Sequence, residues 1–203
     1  MTASHTASSA SGLSVAILLT DGFEQIELTG PRTALDAAGA RTTLISLKSG
    51  RVQGFHHDVH GDSFKVDQTF DQAVAEDFDA VLLPGGALNA DQLRIVPQAQ
   101  RFVQAMQRDA KPIAVICHGA WLLVSAGLVR GRKLTSWPTL RDDICNAGGN
   151  WLDAEVVEDG NLVSSRKPDD IPAFNRHFIA LLERRNAQRQ GAPSKAAAIS
   201  VPG

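Results

Sequence analysis

The chain has 203 residues, enough for one α/β domain with a full core. Its 43% hydrophobic and 21% charged residues are ordinary globular proportions, and its net charge of −2 implies no basic face, so nucleic acid is not implied as an electrostatic partner. Two cysteines in a chain of this length exclude a disulfide scaffold, and no apolar run is long enough to span a membrane.

Residues 1–12 are polar and lack the positive region and apolar run of a secretory signal, so a disordered arm and a cytoplasmic location are expected. Leu13 to Leu19 reads as a buried parallel strand. After the turn signal at Asp21-Gly22, the segment from Glu24 to Ala38 has helical spacing, with Pro31 expected to kink or restart it and Gly39 to close it. Thr42 to Leu47 is a second strand. Ser49 to Thr69 is expected to form a hairpin or a pair of short strands, followed by a short helix or turn over 70–76. Phe78 to Leu83 is a third strand, stopped by Pro84-Gly85-Gly86, and one helix is expected over 91–107.

Ile113 to Ile116 is an apolar, β-favouring run that ends at Cys117-His118-Gly119, and a helix-like segment over 120–129 starts at once. Strand, one polar corner residue, then helix is how a nucleophile is presented at the carboxyl end of a parallel sheet. Beyond it come a short strand over 133–136, a helix over 139–147, a hairpin turning at Asp159-Gly160, and an amphipathic helix over 169–185. Residues 186–203 are expected to be a flexible tail. The alternation predicts a single domain over 13–185, an α/β three-layer sandwich with a mostly parallel sheet.

The corner makes Cys117 the candidate nucleophile, and the following helix N-terminus is expected to depress its pKa. A lone cysteine is otherwise a small buried hydrophobe. His118 is either a general acid or base or a surface histidine. Glu24 and Glu27 follow the first strand on the same sheet edge, where they serve the cysteine or only the helix dipole. Gly85-Gly86 leaves room for a backbone N–H to face the site, as an oxyanion hole needs, or makes only a tight turn. His56, His57 and His60 lack a ligand pattern beside them and read as a polar loop, so no metal is expected. Cys145 lies in a helical pattern and is expected to be structural.

The stretches DGFEQIEL (21–28), FDAVLLPGG (78–86), KPIAVICHGAWLLVSAGLVRGRKLTS (111–136) and DDICNAGGNWLDAEVVEDGNLVSSRKPDDIPAF (142–174) together resemble the PfpI-like family of cysteine hydrolases and stress proteins, within the class I glutamine-amidotransferase-like superfamily. The resemblance implies a flavodoxin-like sandwich with Cys117 as nucleophile, His118 as its partner and Glu27 at its sulfur. Glu24 would line the pocket, and Gly86 with the His118 backbone would form the oxyanion site. It also implies a homo-oligomer, in which Asp91 aligns, after a one-residue insertion, with an acid supplied by a neighbouring subunit. Trp121 stands where the family often has proline and is expected to narrow the pocket or to pack against a partner subunit. The function so implied needs no cofactor: a cysteine-dependent deglycase or glyoxalase-like hydrolase acting on small aldehydes or glycated protein and peptide substrates. An intracellular cysteine peptidase and a redox-responsive stress protein or chaperone are the alternatives, since all three use the same thiol.

Overall fold

The computed structural model describes residues 10–191. In chain order its strands are β1 (Ser14–Leu18), β2 (Phe23–Glu24), β3 (Arg41–Ser46), β4 (Arg51–His56), β5 (Val59–Lys65), β6 (Gln68–Thr69), β7 (Ala80–Leu83), β8 (Ile113–Ile116), β9 (Lys133–Leu134), β10 (Asn150–Trp151), β11 (Val156–Asp159) and β12 (Leu162–Ser165). Its α-helices are α1 (Gln25–Ala37), α2 (Ala87–Arg94), α3 (Pro97–Arg108), α4 (Ala120–Ser125), α5 (Arg141–Asn146) and α6 (Ile171–Gly191).

Seven strands form the central sheet in the order β11-β12-β8-β7-β1-β3-β6. Only the β11–β12 pair is antiparallel, turning at Gly160, which takes the positive φ of 59° that such a tight turn requires. The fold is therefore the α/β sandwich expected from the alternation of elements, in the flavodoxin-like form that the family resemblance implies. Strand alternation divides the core. Val15, Ile17 and Leu19 pack on one face with Leu28 and Leu35 of α1 and Phe174, Phe178 and Leu182 of α6. Ala16 and Leu18 point the other way, into a cluster with Phe102, Val103 and Met106 of α3 and Leu122 and Leu123 of α4. β1 lies between β3 and β7, so the strand order reverses there, and the crevice at the carboxyl ends of β1 and β7 is where such sheets take ligands.

Several boundaries differ from the sequence reading. α1 runs unbroken through Pro31. The proline removes only its own N–H bond, and the buried face on either side holds the helix. The helix expected over 91–107 is two, because Ile95 and Val96 leave the helix before Pro97 starts α3 at its first turn. The short pairs β2 and β10 have no local signal. α6 continues to Gly191, taking in the first six residues of the expected tail, and Ala10, placed within the expected arm, is buried. Residues 1–9 of the expected arm and 192–203 of the expected tail lie outside the described residues. Among those residues no helix is long and apolar enough to cross a membrane.

Candidate active site

Three strand ends build the site. β8 stops at Cys117, whose φ of +61° is unusual for a residue with a side chain. This left-handed corner, worth about 1–2 kcal/mol of strain, turns the chain from strand into a single 3-10 turn and then α4. The Cys117 carbonyl accepts the Trp137 N–H at 3.2 Å, which fixes the corner from the loop after β9. Gly119 follows because a Cβ there would meet the Leu83 carbonyl oxygen at 2.5 Å.

The second strand end, after β7, supplies Gly85 and Gly86. A Cβ on Gly85 would lie 2.5 Å from Glu27 Oε2 and 2.6 Å from Cys117 Cβ, so only glycine fits between acid and nucleophile. Gly86 has φ +90° and starts α2. Its backbone and that of His118 provide hydrogen bonds that favour the thiolate at Cys117. Asn89 ties this turn to the first strand end. Its Oδ1 accepts the Thr20 N–H at 2.7 Å, and its Nδ2 donates to the carbonyls of Pro84 (3.1 Å) and Gly85 (2.9 Å).

The third contribution comes after β1, from β2 and the first turn of α1. Glu27 has no exposed surface, and its Oε2 accepts the Gly85 N–H at 2.8 Å. Burial pushes its pKa from the ordinary 4.5 up to about 8, against the opposing pull of the Gly85 and Cys117 hydrogen bonds. Oε1 is buried with no partner in full hydrogen-bond geometry, although the carboxyl interacts with the Cys117 thiol. A proton on Oε1 directed at the sulfur would complete that contact.

Cys117 is 6% exposed. Burial pushes its thiol up, and the charge of Glu27 adds to this, while the backbone N–H groups of His118 and Gly86 pull it down. The depressed pKa expected from the helix N-terminus is therefore not what the corner provides. α4 has only six residues, and desolvation outweighs so short a helix. The two upward causes differ in kind, however. Below about pH 8 Glu27 holds a proton, so its charge is absent and its hydroxyl becomes a donor. The pair thus shares its protons.

His118 Nδ1 lies 3.2 Å from Cys117 Sγ, the close approach that adjacent residues rarely make. Its ring stacks on Trp137 at 5.7 Å and meets the edge of Trp121 at 5.6 Å, and burial lowers its pKa. Burial thus favours the neutral imidazole, with Nδ1 as the ring nitrogen that faces the sulfur.

These groups open onto a cleft of about 220 Å³ lined by Glu24, Glu27, Gly86, Cys117 and His118, and also by Phe55, His57, Leu88, Trp137 and Pro168. Trp121 does not line it. Its Nε1 donates to Asp143 at 2.8 Å and its ring carries the Arg94 guanidinium, so it supports His118 from behind. Asp91 is exposed on α2 and is not among the residues lining the cleft of its own chain. Cys145 lies in α5, within the helical pattern expected there, and is exposed. Among the described residues no group of three or more His, Cys, Asp or Glu could hold a metal, and His56, His57 and His60 are exposed on the β4–β5 hairpin. The sequence reading does not single out Trp137 or Asn89, and it reads His57 only as part of a polar loop. Trp137-Pro138, after a short strand at the same edge, is the one local signal that could have found any of them.

The chain is 44% identical to a deglycase of Pyrococcus horikoshii over 171 residues, which is 84% of this chain and 100% of that one. It is 42% identical to general stress protein 18 of Bacillus subtilis over 175 residues, 85% of this chain and 99% of that one. The crystal structure of a two-domain protein from Anabaena variabilis, with dj-1/thij/pfpi-like and ferritin-like domains, superposes with a TM-score of 0.80 at 31% identity, covering 93% of this chain and 52% of that one. Residues 13–181 match the DJ-1/PfpI family, and the chain belongs to it.

Proposed function

We propose that the chain is a cofactor-independent, cysteine-dependent deglycase that removes methylglyoxal or glyoxal from amines. The observation that carries this reading is the buried Glu27–Cys117 pair at the floor of a small cleft, in a chain whose relative from Pyrococcus horikoshii is named a deglycase. The cleft is below the range usual for drug-sized ligands and suits a two- or three-carbon carbonyl unit with the amine left outside.

In this reading the Cys117 thiolate, held by the protonated Glu27 carboxyl, attacks the carbinol carbon of the adduct. A C–S bond forms as the C–N bond breaks, and the amine leaves after taking up a proton. The neutral His118 then moves the proton on that carbon to the neighbouring carbonyl carbon. One carbon is oxidised as the other is reduced, so no external oxidant is needed. The product is a 2-hydroxyacyl thioester on Cys117, which water hydrolyses to the hydroxy acid and the free thiol. The N–H groups of Gly86 and His118 would face the oxygen that carries negative charge in these steps. We further infer a cytoplasmic homo-oligomer in which Asp91 of a neighbouring copy approaches His118.

The test is turnover of methylglyoxal-treated N-acetyl-lysine by the wild type and by Cys117→Ala. The reading expects release of free amine and lactate by the wild type and none by the folded variant. Retained turnover in Cys117→Ala would eliminate it. Cleavage of unstructured peptides with no deglycation would replace it with a peptidase, and reversible oxidation of Cys117 with neither activity would replace it with a redox sensor.

A further inference from the structure

We propose that His57, carried on the β4–β5 hairpin and held by Glu24, is a further catalytic residue: the proton donor to the amine that leaves the glycated substrate. The role rests on the deglycase reading above. It starts from an arm that is built into the site. β2 pairs in parallel with β4, Phe23 with Gly54 and Glu24 with Phe55, so the strand carrying Glu24 is continuous with the hairpin. Gln25, next in sequence, clasps the far strand. Its Nε2 donates to Asp62 Oδ2 at 2.8 Å, and its Oε1 accepts the Asp62 N–H at 2.6 Å. A Cβ at Gly61 would collide with that Gln25 amide, so the glycine keeps the clasp closed. The β4–β5 register shifts between Gln53 and Phe55, the kind of irregularity that re-aims side chains beside active sites.

Beyond this shift the chain turns at His57, which has φ +58°. A histidine in that conformation is strained unless something holds it, and here Glu24 does. Glu24 Oε2 accepts the His57 N–H at 3.0 Å and lies 3.6 Å from its Nδ1. The carboxylate thus orients the imidazole, and Glu24 itself is only 12% exposed. The His57 side chain is 84% exposed and lines the same cleft as Cys117.

Position separates its task from that of His118. His118 is enclosed by two tryptophans with Nδ1 on the sulfur, so it serves the carbon that becomes bonded to sulfur. The amine of a glycated chain is too large for a cleft of about 220 Å³, and its nitrogen must remain at the mouth, where His57 stands. As Cys117 displaces the amine, the His57 imidazolium gives its proton to the departing nitrogen. The exposed imidazole then regains its proton from solvent, water hydrolyses the thioester as above, and Cys117 leaves as thiolate. Proton and electron counts close over the cycle with water as the only co-reactant.

The experiment uses His57→Gly and His57→Asn, both of which tolerate positive φ and keep the N–H to Glu24. Wild type and variants are compared on methylglyoxal adducts of N-acetyl-lysine, of an aniline and of a simple thiol, with iodoacetamide labelling of Cys117 as a check on the nucleophile. The proposal expects about a hundredfold loss of kcat on the lysine adduct. It expects a smaller loss on the aniline adduct, whose amine leaves more readily, and least on the thiol adduct, whose leaving group needs no proton. Added imidazole restores His57→Gly, and Cys117 labelling is unchanged. Lysine-adduct turnover within about twofold of wild type, or an equal loss on all three adducts without imidazole rescue, would overturn the role and leave the deglycase reading standing. A wild type that turns over no adduct would overturn the reading and the role together.

Discussion

Replacing Glu27 by glutamine should change the pH dependence of stability in a way its burial makes calculable. The folded carboxyl holds its proton up to about pH 8, against 4.5 for an ordinary glutamate. Below 4.5 both folded and unfolded chains are protonated, and the stabilising preference for the protonated form is fully present. Between 4.5 and 8 the unfolded chain releases the proton and the folded chain does not, so stability falls as pH rises, by about 1.4 kcal/mol per pH unit. The full interval corresponds to a loss on the order of 5 kcal/mol. Glutamine keeps an oxygen for the Gly85 N–H and an amide donor towards the sulfur but cannot ionise. Urea denaturation of both proteins at half-unit steps from pH 5 to 7.5 isolates the contribution, since all other titrating groups are shared. The stability of Glu27→Gln relative to wild type should grow by about 3 kcal/mol across that range. Parallel curves would show that Glu27 ionises normally in the folded protein and would refute the shared-proton description of the pair.

The same titration predicts that wild-type kcat/KM declines above about pH 8, as Glu27 loses the proton it offers the sulfur, and that Glu27→Gln lacks this decline; pH–rate profiles of both would check it. Asn89→Ala leaves the Thr20 N–H and the Pro84 and Gly85 carbonyls without partners and should lower stability by about 2–4 kcal/mol, read by thermal and urea denaturation. Gly85→Ala should reduce kcat/KM by about a hundredfold or more with little loss of secondary structure, because its Cβ must force Glu27 and Cys117 apart; turnover beside circular dichroism would show it.

What could be read from the sequence was what the chain states locally. The corner at Cys117 is a strand, a polar residue and a helix in eight consecutive residues, and the glycines after β7 announce a turn at the same edge. Glu27 follows from its place after the first strand, but nothing local says that it is wholly buried. Its burial depends on Gly85 and Cys117, from two later strand ends, closing against it, and the raised pKa depends on that. The helical period runs straight across 91–107, which hides the break at Ile95 that separates α2 from α3. His57 and Asn89 were illegible for a related reason. Their partners, Glu24 and Thr20, lie 33 and 69 residues away, and no spacing rule encodes a hairpin docking on a two-residue strand. Trp121 draws attention because it stands where the family often has proline, whereas the tryptophan that reaches the cleft, Trp137, arrives from beyond β9.

The most direct measurement is acid-quenched mass spectrometry of the wild type during turnover of a methylglyoxal adduct, with the modified peptide located by fragmentation. A hydroxyacyl group on Cys117, absent from Cys145 although that thiol is the more exposed of the two, is the expected result. Turnover with Cys117 unmodified throughout, or with modification at both thiols alike, would contradict the assignment of Cys117 as the nucleophile.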